Sequence, residues 1–241
     1  MRIAVMGDIH GNIEALNSVL EEINGLGADM LFCLGDLVDF GPRPHEVITA
    51  VRKLGIPTVK GNHDDAVTGY DLDRFIFKSA EERKYVKNSL DRTVQALTED
   101  DIRYLKMLPE RLELDLKRAT AVFIHSFPDP YHYPDLDEIK RFLDAGPAHY
   151  VFYGHSHKPA VYTHNGKMAI NVGSVGKPRH GNAMASYCVA GFAGGRLTEL
   201  AFRYRPYDVE NVCLDIVNLG FPRDTVEILK AGGSCDQSEK I

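Results

Sequence analysis

The first sixty residues alternate short apolar runs with amphipathic helical patterns. Apolar residues fill positions 3–6 and then recur between Ile13 and Ile23 at the three- and four-residue spacing of a helix. The same pattern of an apolar run followed by a helix then repeats. Pro44 suits the first turn of this second helix, and Gly55 ends it. The predicted strands lie at 3–6, 30–34 and 56–59, with a helix after each of the first two. Strands that alternate with helices predict parallel neighbours joined by right-handed crossovers.

The pattern of apolar and polar residues changes twice in the rest of the chain. From about 64 to 109 the pattern is helical, and Thr98 before three acidic residues is typical of a helix N-cap, so we interpret this stretch as a helical insertion. The second half is richer in hairpins. Its predicted strands lie at 121–124, 150–153, 168–171, 185–192 and 197–204, followed by short helices at 208–219 and 224–231. We expect one domain over 1–231 and a flexible polar tail over 232–241.

Polar side chains able to bind a metal or a phosphate follow six apolar runs, at the turn where each run ends. They are Asp8 and His10, Asp36, Asn62 and His63, His125, His155 and His157, and Ser174. Ligands of open sheets bind beyond the carboxyl ends of the strands, so one fold can bring these groups together. Taken singly, the motif at 61–64 is also compatible with an Asx-type turn, and the motif at 155–157 with a solvated loop. Their common placement favours a shared site.

Carboxylates, imidazoles and an amide suit a pair of divalent cations. Two cations roughly 3.5 to 4 Å apart can neutralise phosphate charge, lower the pKa of a bound water and stabilise the leaving oxygen. A carboxylate can share its oxygens between two metals, and Asp36 is the candidate bridge. The four cysteines form no CxxC pair, which argues against a closed structural zinc site. Mixed nitrogen and oxygen ligands suit Mn, Fe, Zn, Ni or Co.

Composition and charge narrow the classes of partner. A hydrophobic content of 44% and a charged content of 26% are those of an ordinary globular protein. The net charge of -6 gives no general attraction to a phosphate backbone, so nucleic acid is not indicated. No secretory signal or membrane-spanning run is recognisable, and scattered cysteines suit a reducing compartment. We expect a cytoplasmic protein without a membrane partner, in an oligomeric state that stays open.

The motifs resemble a known signature when they are taken in chain order. Asp8-x-His10, Gly35-Asp36, Gly61-Asn62-His63-Asp64, His125 and Gly154-His155-Ser156-His157 are similar to the five motifs of the calcineurin-like metallophosphoesterase superfamily. The resemblance spans roughly residues 1 to 204. It implies an α/β fold, a four-layer αββα sandwich in which two mixed β-sheets lie between helical layers.

The resemblance also implies roles for the residues at the matching positions. One metal would be bound by Asp8, His10, Asp36 and His157, and the other by Asp36, Asn62, His125 and His155. A hydroxide bridging the two metals would attack phosphorus. His63, oriented by Asp64, would protonate the leaving oxygen or stabilise its charge.

A glycine-rich loop further resembles small bacterial and archaeal phosphodiesterases of this superfamily. Asn171-Val172-Gly173-Ser174 is similar to their Asn-Pro-Gly-Ser loop, with Val172 in place of the usual proline. The Ser174 loop could place backbone N–H groups near a phosphate, and Lys177 or Arg179 could add charge, although a glycine-rich hairpin is the alternative. Outside the signature, His132 and His180 lie in loops that could reach the site.

The predicted function is metal-dependent hydrolysis of a phosphodiester or phosphomonoester of a small molecule or nucleotide. Two alternatives stay open. A protein serine/threonine phosphatase would need an open groove for a polypeptide. A non-catalytic interaction module on the same fold would carry a degraded metal site, and the complete ligand set with His63 argues against it.

Overall fold

The computed structural model of this protein describes residues 1–69 and 71–233. The strands are β1 (Arg2–Met6), β2 (Met30–Cys33), β3 (Arg111–Asp115), β4 (Thr120–Ile124), β5 (Tyr150–Tyr153), β6 (Ala160–His164), β7 (Lys167–Asn171), β8 (Ala185–Ala193) and β9 (Arg196–Arg205). The helices are α1 (Ile13–Leu26), α2 (Pro44–Lys53), α3 (Asn62–Gly69), α4 (Ala80–Ala96), α5 (Glu99–Met107), α6 (Leu136–Ala145), α7 (Val209–Asn218) and α8 (Asp224–Ala231). Most of the predicted tail, 234–241, lies outside the described residues. In the described ranges, no helix is long and apolar enough to cross a membrane.

The strands form two mixed sheets. In the four-stranded sheet, ordered β2-β1-β8-β9, β1 is parallel to β2 and antiparallel to β8. In the five-stranded sheet, ordered β3-β4-β5-β7-β6, the central pairs β4-β5 and β5-β7 are parallel, and both edge strands are antiparallel. Parallel strands point the same way, so the carboxyl ends of β4, β5 and β7 meet at one edge, as do those of β1 and β2. The predicted mixed sheets and the parallel pairing of the first two strands are confirmed.

Apolar cores stack the sheets and helices into four layers. Between the two sheets, the ring of Phe123 stacks on Phe32 with centroids 3.9 Å apart, and its centroid lies 5.3 Å from that of Phe152. Helices α1 and α2 cover the outer face of the four-stranded sheet. Helix α6 covers the outer face of the other sheet through Ile139 and Leu143. The expected αββα sandwich is confirmed.

Side-chain caps fix where two of the helices begin. The Thr98 hydroxyl accepts a hydrogen bond from the Asp101 N–H, and the Asp101 carboxylate accepts one from the Thr98 N–H, so the predicted N-cap is confirmed as a capping box. The side chain of Asn12 accepts from the Ala15 N–H at 3.0 Å. Helix α1 therefore begins immediately after the turn that follows β1.

The stretch 56–59, predicted as a third strand, is not a strand. It makes a single bridge between Thr58 and Cys33, with hydrogen bonds from the Cys33 N–H to the Pro57 carbonyl and from the Val59 N–H to the Cys33 carbonyl. Pro57 has no N–H and cannot donate to a ladder, so the pairing does not extend. The segment still runs beside β2 and leads directly into α3.

The helical insertion is only partly helical, and three elements were absent from the prediction. Residues 71–79, between α3 and α4, form no helix. Strands β3 and β6 are the two edges of the five-stranded sheet, and each alternates exposed with partly buried residues and contains no fully buried one. Helix α6 buries only Ile139 and Leu143 among its ten residues, so its periodic signal is short.

Candidate metal centre

The predicted metal ligands and His63 lie beyond the carboxyl ends of strands or at the start of α3. Asp8 and His10 follow β1, Asp36 follows β2, Asn62 and His63 open α3, His125 follows β4, and His155 and His157 follow β5. All eight residues are buried. The meeting edges of the two sheets thus bring together side chains from both halves of the chain.

Five of these side chains extend from left-handed backbone. The φ angles are 51° at Asp8, 49° at His10, 50° at Asp36, 66° at His155 and 61° at His157. Each such non-glycine residue costs on the order of 1–3 kcal/mol and persists only where its surroundings fix it. Here the Asp8 N–H donates to the Gly35 carbonyl at 3.0 Å, and the His10 N–H donates to the Asp36 carbonyl at 2.9 Å. The two turns hold each other in a conformation that aims their side chains inward.

One group of donor atoms matches the first predicted ligand set. Ligand atoms of Asp8, His10, Asp36 and His157 all lie within 4.8 Å of one another. The Nε2 atoms of His10 and His157 face each other at 3.1 Å, and His157 Nε2 lies 3.3 Å from Asp8 Oδ1. These distances place two imidazoles and two carboxylates around a common point.

Backbone carbonyls fix the tautomers of three histidines. Nδ1 of His10 donates to the Val38 carbonyl at 3.0 Å, and Nδ1 of His157 donates to the Lys177 carbonyl at 2.6 Å. Nδ1 of His125 donates to the Leu34 carbonyl at 2.8 Å. A neutral imidazole that donates from Nδ1 presents a lone pair at Nε2, the arrangement of a metal-binding histidine. Burial lowers the pKa of His10 well below its ordinary value, which favours the neutral ring.

A second group of donor atoms lies beside the first. His125 Nε2 is 2.8 Å from Asn62 Oδ1 and 3.2 Å from His155 Nδ1, and the last two atoms are 3.0 Å apart. Burial also lowers the pKa of His155 well below its ordinary value. These three residues, with Asp36, are the second ligand set that the resemblance implies.

Asp36 lies between the two groups with an unused oxygen. Its Oδ1 accepts the His63 N–H at 2.8 Å, whereas Oδ2 is buried and has no hydrogen-bond partner in the described structure. Oδ2 is 3.7 Å from His10 Nε2 and 3.4 Å from His125 Nε2. A buried carboxylate oxygen without a partner is costly. The residues present therefore fit divalent metal, which Asp36 would help to hold together with the histidines around it.

Asp39, which the sequence analysis missed, orients His63. Its Oδ2 accepts from His63 Nδ1 at 2.7 Å, and its Oδ1 accepts from the Ser89 hydroxyl at 2.5 Å and the Phe40 N–H at 2.8 Å. His63 lines a cleft together with Lys177 and Arg179. Because Nδ1 is occupied by Asp39, Nε2 is the nitrogen of His63 that is available for chemistry in this cleft. The available signal was the spacing, because Asp39 is the next acid after Asp36.

The prediction that Asp64 orients His63 is wrong. The Asp64 carboxylate accepts backbone N–H groups from Asp36 and Leu37 at 2.8 Å and from Gly61 at 2.9 Å. Burial and the nearby Asp36 carboxylate raise its pKa to about 6. Helix α3 aims Asp64 back at the loop after β2, so this residue shapes the turn that carries Asp36.

The loop after β7 divides into a structural part and a cleft-facing part. The prediction of a substrate contact is wrong for Ser174, which is fully buried, donates to the Asp8 carbonyl and accepts the Lys177 N–H, both at 2.8 Å. Lys177 and Arg179 do line the cleft beside His63. Burial, together with the nearby Arg179, lowers the pKa of Lys177 to about 7.

His132 and His180 do not join the site. His132 Nε2 pairs with Glu138 at 2.7 Å, and His180 Nε2 lies 3.0 Å from the Met184 carbonyl. Neither residue is among those that line the cleft. Both keep surface roles in their own loops.

Comparison with known proteins identifies the family. The model of the calcineurin-like phosphoesterase superfamily domain matches residues 1–194. The chain belongs to this superfamily. An uncharacterised protein of Methanocaldococcus jannaschii is 35% identical over 209 residues, 78% of this chain and 81% of that protein. A crystal structure of a metallophosphoesterase from Sphaerobacter thermophilus matches with a TM-score of 0.76 at 26% identity, over 96% of this chain and 100% of that chain.

A further relative shares only a short segment. A symmetrical bis(5'-nucleosyl)-tetraphosphatase of Thioalkalivibrio sulfidiphilus is 42% identical over 67 residues, which are 27% of this chain and 25% of that protein. Phosphoester hydrolysis is the chemistry of the calcineurin-like family, and the Asp and His cluster described above is a group that could hold its metal.

Alanine at Gly61 is expected to weaken metal binding at this calcineurin-like site by about tenfold or more, the size of effect that residues supporting metal ligands show. A Cβ at this position would collide with the backbone nitrogen and the carboxylate of Asp36. Gly69→Ala is the matched control, because an added Cβ there has no described atom within 4 Å. Calorimetric titration of metal-stripped protein with manganese measures both variants. Equal affinities for the two would show that Gly61 does not position Asp36.

Proposed function

We propose that this protein is a hydrolase that cleaves a phosphate ester with two divalent cations. The observation that carries the proposal is the buried, unpartnered Oδ2 of Asp36, which lies between two groups of inward-facing ligand atoms. One cation would be held by Asp8, His10, Asp36 and His157, and the other by Asp36, Asn62, His125 and His155. Such a pair would supply positive charge that neutralises the phosphate and would activate a water for attack.

The chain's own residues supply proton transfer and charge for the same reaction. His63 would donate a proton from Nε2 to the leaving oxygen, or stabilise its charge, while Asp39 holds Nδ1 at 2.7 Å. Lys177 and Arg179, which line the cleft, would contact the non-bridging phosphate oxygens. Catalysis would then rest on positioning and electrostatics.

The substrate we propose is a small phosphorylated molecule or nucleotide. The partial similarity to the bis(5'-nucleosyl)-tetraphosphatase supports a nucleotide derivative, and an acidic chain is a poor partner for nucleic acid. Aromatic side chains from residues 71–79 and the loop at 125–135 line the cleft beside His63, which favours a compact substrate over a polypeptide. The cytoplasmic location stays a prediction.

The proposal predicts turnover that depends on added metal. Metal-stripped protein should be inactive on bis(p-nitrophenyl) phosphate and p-nitrophenyl phosphate, and manganese, nickel, zinc or magnesium, added one at a time, should restore hydrolysis. The preferred ester then separates a diesterase from a monoesterase. Absence of turnover with every metal, in protein shown to be folded and metal-loaded, would favour the non-catalytic module instead.

A further inference from the structure

The cleft beside His63 has an aromatic lining that the metal centre does not require. Six aromatic side chains line it: Phe40, Phe75, Phe77, Tyr85, Tyr131 and Tyr133. All but Phe40 come from residues 71–79, from helix α4 or from the loop at 125–135, none of which provides a predicted metal ligand other than His125. We refer to Phe75, Phe77, Tyr131 and Tyr133 as the aromatic wall. A set of rings gathered at one side of a polar centre requires a separate explanation.

The aromatic wall starts at the residues that would handle the leaving group. The ring centroid of Phe75 lies 5.1 Å from that of His63. Tyr133 lies over His155 with centroids 4.1 Å apart, lines the cleft and is 52% exposed, so part of its ring is accessible. A planar group attached near an oxygen protonated by His63 would contact these rings directly.

Packing and an ion pair hold the aromatic wall in place. Phe75 meets Tyr131 edge to face at 5.0 Å and stacks with Phe77 at 5.8 Å between ring centroids. Arg74 pairs with Asp65 at 2.5 Å and lies 4.2 Å from the centroid of the Tyr131 ring, whose hydroxyl donates to Asp65 at 3.2 Å. These contacts connect residues 71–79 to α3 and to the loop after β4. A preformed wall loses little entropy when a ring packs against it.

Polar groups at the same cleft select among planar ligands. Lys177 is only 6% exposed, and among the described residues its ammonium contacts the rings of Phe40 and Tyr85 but forms no hydrogen bond or ion pair. Arg179 and Glu82 also line the cleft and offer donors and acceptors. An unpaired buried cation beside aromatic rings fits a ligand that combines an anion with a planar, hydrogen-bonding ring.

We propose that the leaving group of the ester carries a nucleobase, which packs against Phe75 and Tyr133 while Lys177 meets phosphate charge. This inference rests on the proposed function and names its substrate class as nucleotide esters. Plain alkyl or sugar phosphate esters would leave the aromatic wall unoccupied. Simple aryl esters would fill it without using the polar edge.

Binding of uncleavable probes tests the inference independently of turnover. The probes are the methylenephosphonate analogues of AMP and of ribose 5-phosphate, whose P–C bond resists hydrolysis, and benzylphosphonate. Calorimetric titration of the manganese-loaded protein should show the AMP analogue binding about tenfold more tightly than the ribose analogue, as expected for one base stacked on aromatic side chains. It should also bind more tightly than benzylphosphonate. An AMP analogue no tighter than the ribose analogue, or a benzylphosphonate as tight as the AMP analogue, would overturn the inference.

Variants locate the preference on the aromatic wall. Phe75→Leu and Tyr133→Ala should each reduce the ratio of the affinity for the AMP analogue to that for the ribose analogue towards one, whereas Phe75→Tyr should retain this ratio. Tyr204→Ala is the control, because Tyr204 is an exposed tyrosine on β9 outside the cleft. A ratio unchanged in both wall variants would count against the assigned site. If the protein hydrolyses bis(p-nitrophenyl) phosphate but binds the AMP analogue no more tightly than the ribose analogue, this inference alone fails. If it binds the AMP analogue more tightly but no metal restores hydrolysis, the proposed function fails.

Discussion

Replacing Asp36 with alanine is expected to abolish metal pairing and to lower turnover by about 10³-fold or more. The free oxygen of Asp36 lies within 4 Å of a histidine from each ligand group, at 3.7 Å from His10 and 3.4 Å from His125. Without it, each group keeps only three donors and nothing connects them. Repulsion between two nearby cations would then no longer be offset, so we expect at most one metal per chain.

Metal content and metal-restored hydrolysis together measure this effect. Elemental analysis after loading and desalting should give two metals per wild-type chain and one or none in Asp36→Ala. Asp137→Ala is the matched control, because this exposed aspartate lies outside the site and forms a surface ion pair with Lys140 at 2.9 Å. Circular dichroism verifies that both variants are folded. Two tightly held metals in Asp36→Ala would mean that another residue bridges the site.

The sequence was informative wherever a ligand follows a buried strand. The apolar runs before Asp8, Asp36 and His125 locate strand ends, and the chain direction of parallel strands brings those ends together. Edge strands β3 and β6 were not predicted because each has only five residues, which alternate between exposed and partly buried positions. Burial on both faces, which marks a central strand, is what the edges lack.

The partner of His63 could not be read from sequence adjacency. Asp64 is its neighbour in the chain, but at the start of a helix successive side chains point in different directions. The left-handed residues Asp39 and Phe40, with φ of 71° and 61°, turn the loop after β2 so that Asp39 reaches His63 from 24 residues earlier. Ser89 of α4 completes this contact, so the partly helical insertion takes part in orienting His63.

His63→Ala is expected to lower kcat by about 10²–10⁴-fold, the usual contribution of a general acid, while both metals stay bound. The hydrogen bond from His63 to Asp36 is donated by the backbone N–H of His63, which alanine retains. Asp39→Asn should cause a smaller loss, because an amide still contacts Nδ1 but no longer supports a protonated ring. Metal analysis separates these variants from Asp36→Ala.

The dependence of that loss on the leaving group decides what His63 does. A nitrophenolate departs without much help, whereas an alkoxide needs a proton, so a proton-donating His63 predicts a larger loss on an alkyl ester than on bis(p-nitrophenyl) phosphate. Single-turnover rates for a nitrophenyl and an alkyl ester of the same phosphate, measured in wild type, His63→Ala and Asp39→Asn, provide the comparison. An equal loss on both esters would remove His63 from proton transfer and assign it to binding the phosphate, where Asp39 would serve to hold its position.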